Sequence, residues 1–221
     1  MNKAFIFDMD GVIINSEVVW AQYEKDFLIE MVGQEIFEKI KDHTVGSTTS
    51  VIYDLAYEAG LKMKKQDFLQ RYDKQAQIIY SLSTPTDDIN KLLQKLKDLN
   101  FRIGLVSASF PNWIEIVLEK IRNKHLFEYV LSLEERKDLR PKPYPDGFLE
   151  AIKELGSTPE KTIILEDSNK GLLAAKASGA FTICIREHLP KDHISEEADM
   201  TIENLRTLMT FLDELDLQLK Q

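Results

Sequence analysis

Five short apolar runs recur along this chain: KAFIFD (3–8), FRIGLVS (101–107), YVLSL (129–133), TIILED (162–167) and FTICI (181–185). Their β-branched and aromatic content marks strands. Helical patterns fill the gaps between the later ones. Ile89, Leu92, Leu93 and Leu96 repeat at helical spacing within 87–98, with Leu99 following, and 111–122, 145–155 and 169–178 also fit helices. Strands apolar on both faces that alternate with helices imply an α/β fold with a parallel sheet covered on both sides. Ligands of such sheets sit at the carboxyl ends of the strands.

One interval breaks the alternation. Residues 16–81 hold no convincing strand and read as amphipathic helices over 17–31, 35–42, 48–59 and 66–80, punctuated by Gly33, Gly46 and Gly60. This is an all-helical insert between the first strand and the rest of the sheet. SLSTPTDD (81–88) is the return linker, stiffened by Pro85. Two domains are expected: residues 1–15 with 82–221, and residues 16–81. A last amphipathic segment, 203–219, closes the chain.

The 221 residues suffice for one α/β domain and a smaller second one. The balance of 28 basic against 37 acidic residues gives a net charge of −9, which argues against nucleic-acid binding. It does not exclude an anionic substrate, because a local pocket can oppose the global sign. Cys184 is the single cysteine, so no internal disulfide is possible; in FTICI it reads as a buried structural thiol. No apolar run approaches the roughly 20 residues needed to span a bilayer, and Asp8 interrupts any signal peptide. A cytoplasmic monomer that contacts no membrane is expected.

The strand ends carry the chemistry. The first run ends in Asp8, followed by Asp10 and Gly11. If the strand persists, its two-residue repeat points both carboxylates the same way. A bound cation or a shifted pKa would then offset their repulsion. The second run ends in Ser107. The loop after the third, RPKPYPDG, places Lys142 between Pro141 and Pro143, and the fourth run ends in Glu166–Asp167. Parallel strands bring these groups to one edge. Hard oxygen ligands suit Mg²⁺; Ser107, nearby backbone N–H groups and Lys142 suit a phosphate. Phosphoryl transfer is mainly positioning and charge neutralisation, so this set is chemically sufficient. A carboxylate can also attack phosphorus. Asp8–Asp10–Gly11 is no EF-hand loop, because Val12, Ile13 and Ile14 follow where oxygen ligands belong.

DMDGV, VSAS, RPKPYPDGF and LEDSNKGLLAAKASGA, in this order from residue 8 to residue 180, resemble the motifs of the haloacid dehalogenase superfamily. Within it the chain is similar to the β-phosphoglucomutase-like and phosphatase group. The resemblance implies a Rossmann-like core and a four-helix cap over 16–81. It also implies that Asp8 is the nucleophile and a Mg²⁺ ligand. Asp10 would be the general acid/base and touch the metal through its carbonyl, with Glu166 and Asp167 completing the metal site. Ser107, the backbone of Ala108 and Lys142 would hold the phosphoryl group. In the cap, Trp20, Gly46, Ser47 and Thr48 would face the substrate; for Trp20, plain cap–core packing is an equal reading. Trp113 is expected to pack a core helix. His125, His188 and His193 show no ligand spacing.

The resemblance therefore implies a Mg²⁺-dependent phosphatase acting on a small phosphorylated metabolite such as a sugar phosphate, through an aspartyl phosphate. A phosphomutase is the rival at the same site. However, the cap loop HTVGSTTS (43–50) lacks the arginine usual in β-phosphoglucomutases. A non-catalytic binding protein on the same fold is the other alternative, and keeping both Asp8 and Asp10 argues against it. Asn15 replaces the aspartate common before the serine of NSE.

Overall fold

The computed structural model describes residues 2–44, 47–189 and 198–218. Gly46 and His193 lie outside these residues. Among the described residues, six parallel strands form one sheet in the order β3-β2-β1-β4-β5-β6. They are β1 (Lys3–Phe7), β2 (Phe101–Ser107), β3 (Tyr129–Ser132), β4 (Thr162–Glu166), β5 (Phe181–Ile185) and β6 (Met200–Ile202). β1 lies centrally and pairs with both β2 and β4.

The alternation of β1 builds two cores. Phe5 and Phe7 join the larger apolar cluster, while Ala4 and Ile6 join a smaller one with Val106, Phe148, Ile152 and Ile164 on the opposite face. Ala4 to Phe7 and Ile163 to Leu165 are all fully buried. A strand covered on both faces reads as a continuous apolar run, which is why β1 and β4 stand out in the sequence. The covering helices are α5 (Ile89–Asp98), α6 (Pro111–Glu119), α7 (Asp146–Glu154), α8 (Asn169–Ala177) and α9 (Leu205–Gln218). α5 buries Ile89, Leu92, Leu93 and Leu96 as its spacing requires.

The helical insert holds α1 (Ser16–Val32), α2 (Gln34–Ile40), α3 (Thr49–Glu58) and α4 (Lys65–Leu82). Two linkers tie it to the sheet, and they pair with each other. Asn15 N donates to Thr84 O at 3.0 Å, Thr84 N to the Asn15 side-chain oxygen at 2.7 Å, and Thr86 N to Ile13 O at 3.0 Å. Asn15, the departure noted in NSE, thus spans both linkers. No helix among the described residues is long and apolar enough to cross a membrane.

Two expectations change. β1 stops at Phe7, although Asp8 N still donates to Leu165 O at 2.9 Å. The chain then turns: Val12 N and Ile13 N both donate to Met9 O, and Gly11 takes a φ of 71°. Asp10 is therefore aimed by a turn rather than by the alternation of a strand. In addition, β6 was not anticipated, because three residues give no measurable period.

Candidate active site

Register brings the chemistry to one edge. Phe7 lies opposite Leu105 and Leu165, so Asp8, Val106 and Glu166 are next in line. Lys142 Nζ reaches in from its loop and donates to Asp8 Oδ1 and Glu166 Oε1, both at 2.5 Å. The ammonium and both carboxylates are almost fully buried. Glu166 Oε2 accepts from the backbone N–H groups of Asp167 and Ser168, each at 2.8 Å, and from Ser168 Oγ. Glu166 is thereby locked as the anchor of Lys142.

Two glycines make room for this arrangement. A Cβ on Gly11 would stand 1.9 Å from Asp167 Oδ2, and one on Gly171 would stand 1.7 Å from Glu166 Oε1. Asp8, Glu166 and Asp167 can each offer an oxygen within 4.8 Å of the others. Glu17, on the first turn of α1, adds another carboxylate close enough to raise the Asp167 pKa.

Asp10 belongs to a separate network. Ser16 Oγ donates to its Oδ1 at 2.6 Å, Tyr80 Oη to Oδ1 at 2.9 Å, and Ser109 Oγ to Oδ2 at 2.9 Å. Tyr80 Oη also lies 2.9 Å from Ser109 Oγ. Three hydroxyl protons therefore face four short oxygen contacts. A proton on Asp10 Oδ2, given to Ser109 while Ser109 gives its own to Tyr80, fills all four.

Burial without enough counter-charge sets the electrostatics. Desolvation pushes the Asp8 carboxyl up to about 8 against the pull of Lys142, with Glu166 and Asp10 adding to the rise. Burial and the charge of Asp10 likewise bring Glu17 to about 8. Asp167 is driven well above the carboxylate range by burial and by Glu166. Burial raises Asp10 against its three hydroxyl donors. For Lys142, burial favours the neutral amine, but Asp8 and Glu166 outweigh it and hold the amine well above its ordinary range. A hard divalent cation fits this donor set: the oxygens converge, are buried and carry more potential negative charge than one lysine neutralises.

The sequence-predicted residues divide by location. Asp8, Lys142, Glu166 and Asp167 come together. Ser107, fully buried, accepts from Ser109 N at 3.0 Å, and Ala108 between them is half-buried. Trp20 packs its ring on Tyr72 with centroids 5.4 Å apart. Ser47 accepts from Lys170 at 2.6 Å, and Thr48 caps α3 by accepting from Val51 N. Trp113 packs as expected: on α6 it is buried within the larger apolar cluster, where it also stacks on Tyr72 of α4 and donates to Asp73 at 2.7 Å. His188 pairs with Thr86.

Sequence reasoning missed Ser16, Glu17, Tyr80, Ser109 and Lys170. Ser16 and Glu17 stood in NSE, and Ser109 repeats Ser107 two residues on. Tyr80 carried no signal, because it falls on the apolar stripe of α4 and reads as core.

The family model of haloacid dehalogenase-like hydrolases matches residues 5–185. Hexitol phosphatase B of Escherichia coli is 28% identical over 186 residues, covering 82% of each chain. Beta-phosphoglucomutase of Bacillus subtilis is 28% identical over 218 residues, covering 92% of this chain and 93% of that one. A HAD hydrolase of family IA, variant 3, from Entamoeba histolytica superposes with a TM-score of 0.77 at 18% identity, over 99% of this chain and 100% of that one.

Proposed function

We propose that this chain, which belongs to the haloacid dehalogenase-like hydrolase family, is a Mg²⁺-dependent phosphatase for a small phosphorylated metabolite of the sugar- or polyol-phosphate class. The observation that carries this reading is Lys142 bridging Asp8 and Glu166 beside Asp167. A buried nucleophile, a fixed cation and a metal-fitting acid group stand at one strand edge. The likeness to hexitol phosphatase B supports the substrate class.

In this reading Asp8, Asp167 and the Asp10 carbonyl, with Glu166 beside them, would hold Mg²⁺, which would offset the charge on the phosphoryl oxygens. Asp8 attacks phosphorus and forms an aspartyl phosphate as the ester oxygen leaves. Asp10 protonates that oxygen, then takes a proton from the water that hydrolyses the intermediate. Lys142 draws on its charge, and Ser107 with the Ala108 backbone on hydrogen bonding, to stabilise the transferring group.

A phosphomutase differs only in the acceptor, a sugar hydroxyl in place of water, and is favoured by the likeness to beta-phosphoglucomutase. A panel of sugar, polyol and aryl phosphates, assayed for released phosphate and for phosphate moved between hydroxyls, tests both. Release from a polyol or sugar phosphate that needs Mg²⁺ supports the phosphatase. Transfer without release would replace it with the mutase, and neither outcome on any ester would refute both.

A further inference from the structure

We propose that Tyr80 is a positioning residue: its hydroxyl, delivered by the last turn of α4, holds the Asp10 carboxyl in the rotamer used for proton transfer. This rests on the reading of Asp10 as the acid/base of a phosphatase. Asp10 is then ready only while this end of the helical insert is seated on the sheet domain.

Three independent features point to the Tyr80 hydroxyl. First, Tyr80 is 1% exposed, and a buried hydroxyl is costly unless it is paired. Phenylalanine would fill the same space with no such demand, so packing does not explain the oxygen. Second, Oη contacts both Asp10 Oδ1 and Ser109 Oγ, while Ser109 contacts Asp10 Oδ2. The two carboxyl oxygens are thereby tied into one ring, which fixes the rotation of the carboxyl plane and not merely its position.

Third, the turn that carries Tyr80 is itself immobilised. Lys120 Nζ, on the core side, donates to Ser81 O at 2.9 Å and to Ser83 O at 2.7 Å. The Tyr80 ring packs against Trp113 of α6 with centroids 5.9 Å apart. The hydroxyl therefore arrives from the insert, Ser109 arrives from the end of β2, and Asp10 completes the join between them.

Tyr80→Phe keeps the ring and its packing, so the protein should fold. Single-turnover rates are measured on an alkyl phosphate, whose leaving oxygen needs a proton, and on 4-nitrophenyl phosphate, which needs little. The alkyl ester should react about tenfold more slowly, the equivalent of one lost hydrogen bond, with KM unchanged. The aryl ester should change by less than about threefold, because it does not draw on the acid.

Ser109→Ala should behave alike. The double variant should be little worse than the poorer single variant, since both residues act through one ring. Equal losses on both esters, or a change confined to KM, would overturn the proposal. Crystal structures of wild type and Tyr80→Phe give a readout that needs no turnover. The Asp10 carboxyl should hold one orientation in wild type and rotate or split in the variant; an unchanged orientation refutes the positioning role. Wild-type protein inert on every ester would instead refute the phosphatase reading, and the crystallographic comparison would still decide what Tyr80 holds.

Discussion

Lys142 shows at the scale of a single residue how the site is balanced. Its ammonium is the one charge among the described residues that ties Asp8 to Glu166. Lys142→Ala leaves those carboxylates buried against Asp167. Breaking a buried pair by removing one partner typically costs about 3–5 kcal/mol, here softened because the raised Asp8 carboxyl can take up a proton. Activity should fall by at least about 10²–10³, as for loss of an oxyanion donor, measured as kcat/KM with Mg²⁺ saturating. Full activity in a folded variant would refute the phosphate role of this lysine.

The two aspartates should separate by intermediate. Asp8→Asn should form no phosphoenzyme, whereas Asp10→Asn should still acquire phosphate from an aryl phosphate and hydrolyse it slowly, by about 10²–10⁴. Trapping and mass spectrometry locate the label; phosphate on Asp10 or Ser107 with Asp8 intact would reverse the roles. Asp8, Lys142, Glu166 and Asp167 were legible in the sequence because strand ends expose chemistry at predictable places. Tyr80 was not, because a helical stripe does not reveal which of its apolar positions carries a working hydroxyl.

α8 shows what an element contributes. Ser168 caps it by accepting from Gly171 N at 3.1 Å, and its first turn follows directly on Glu166 and Asp167. Within a helix, alanine normally stabilises by about 1 kcal/mol over glycine. Gly171→Ala should do the reverse here, because its Cβ would overlap the Glu166 carboxylate. Glu166 would have to leave Lys142 and the Asp167 and Ser168 amides. The expected loss is roughly 1–3 kcal/mol by overpacking, read by denaturant unfolding, with weaker Mg²⁺ binding alongside. A stabilised variant would show that Glu166 moves freely.

Most elements were readable because their burial leaves a period. The helices of the insert fall within two residues of expectation, at Ser16–Val32, Gln34–Ile40, Thr49–Glu58 and Lys65–Leu82. The exceptions are elements too short to have a period. β6 spans three residues at the sheet edge, and the turn from Met9 to Ile13 is set by hydrogen bonds to one carbonyl. The second of these hid how Asp10 is aimed.

For the whole molecule, the buried acids couple stability to pH and to metal. Folding raises Asp8 from 3.8 to about 8 and Glu17 from 4.5 to about 8, and it raises Asp10 and Asp167 as well. A carboxyl with a higher pKa folded than unfolded binds more protons in the folded state. Its contribution is fully present below the unfolded pKa and is lost as pH rises through the folded one. His188, lowered by burial, acts in the opposite sense: its contribution is lost as pH falls through its folded pKa. It is opposed by these four and by Glu24, Glu134 and Glu187, which burial also raises. Metal-free protein should therefore lose Tm as pH is raised from 5.5 to 8.5. Mg²⁺ requires ionised ligands, so the Tm it adds should be larger at pH 8.5 than at pH 5.5. Asp8→Asn should flatten the metal-free slope, because it removes one of the titrating carboxyls. A Tm in chelator that stayed level or rose over this range would mean that the acids are already ionised and compensated without metal. The strand edge would then have no surplus charge for a cation to neutralise, and the physical case for Mg²⁺ at Asp8 and Asp167 would fail with it.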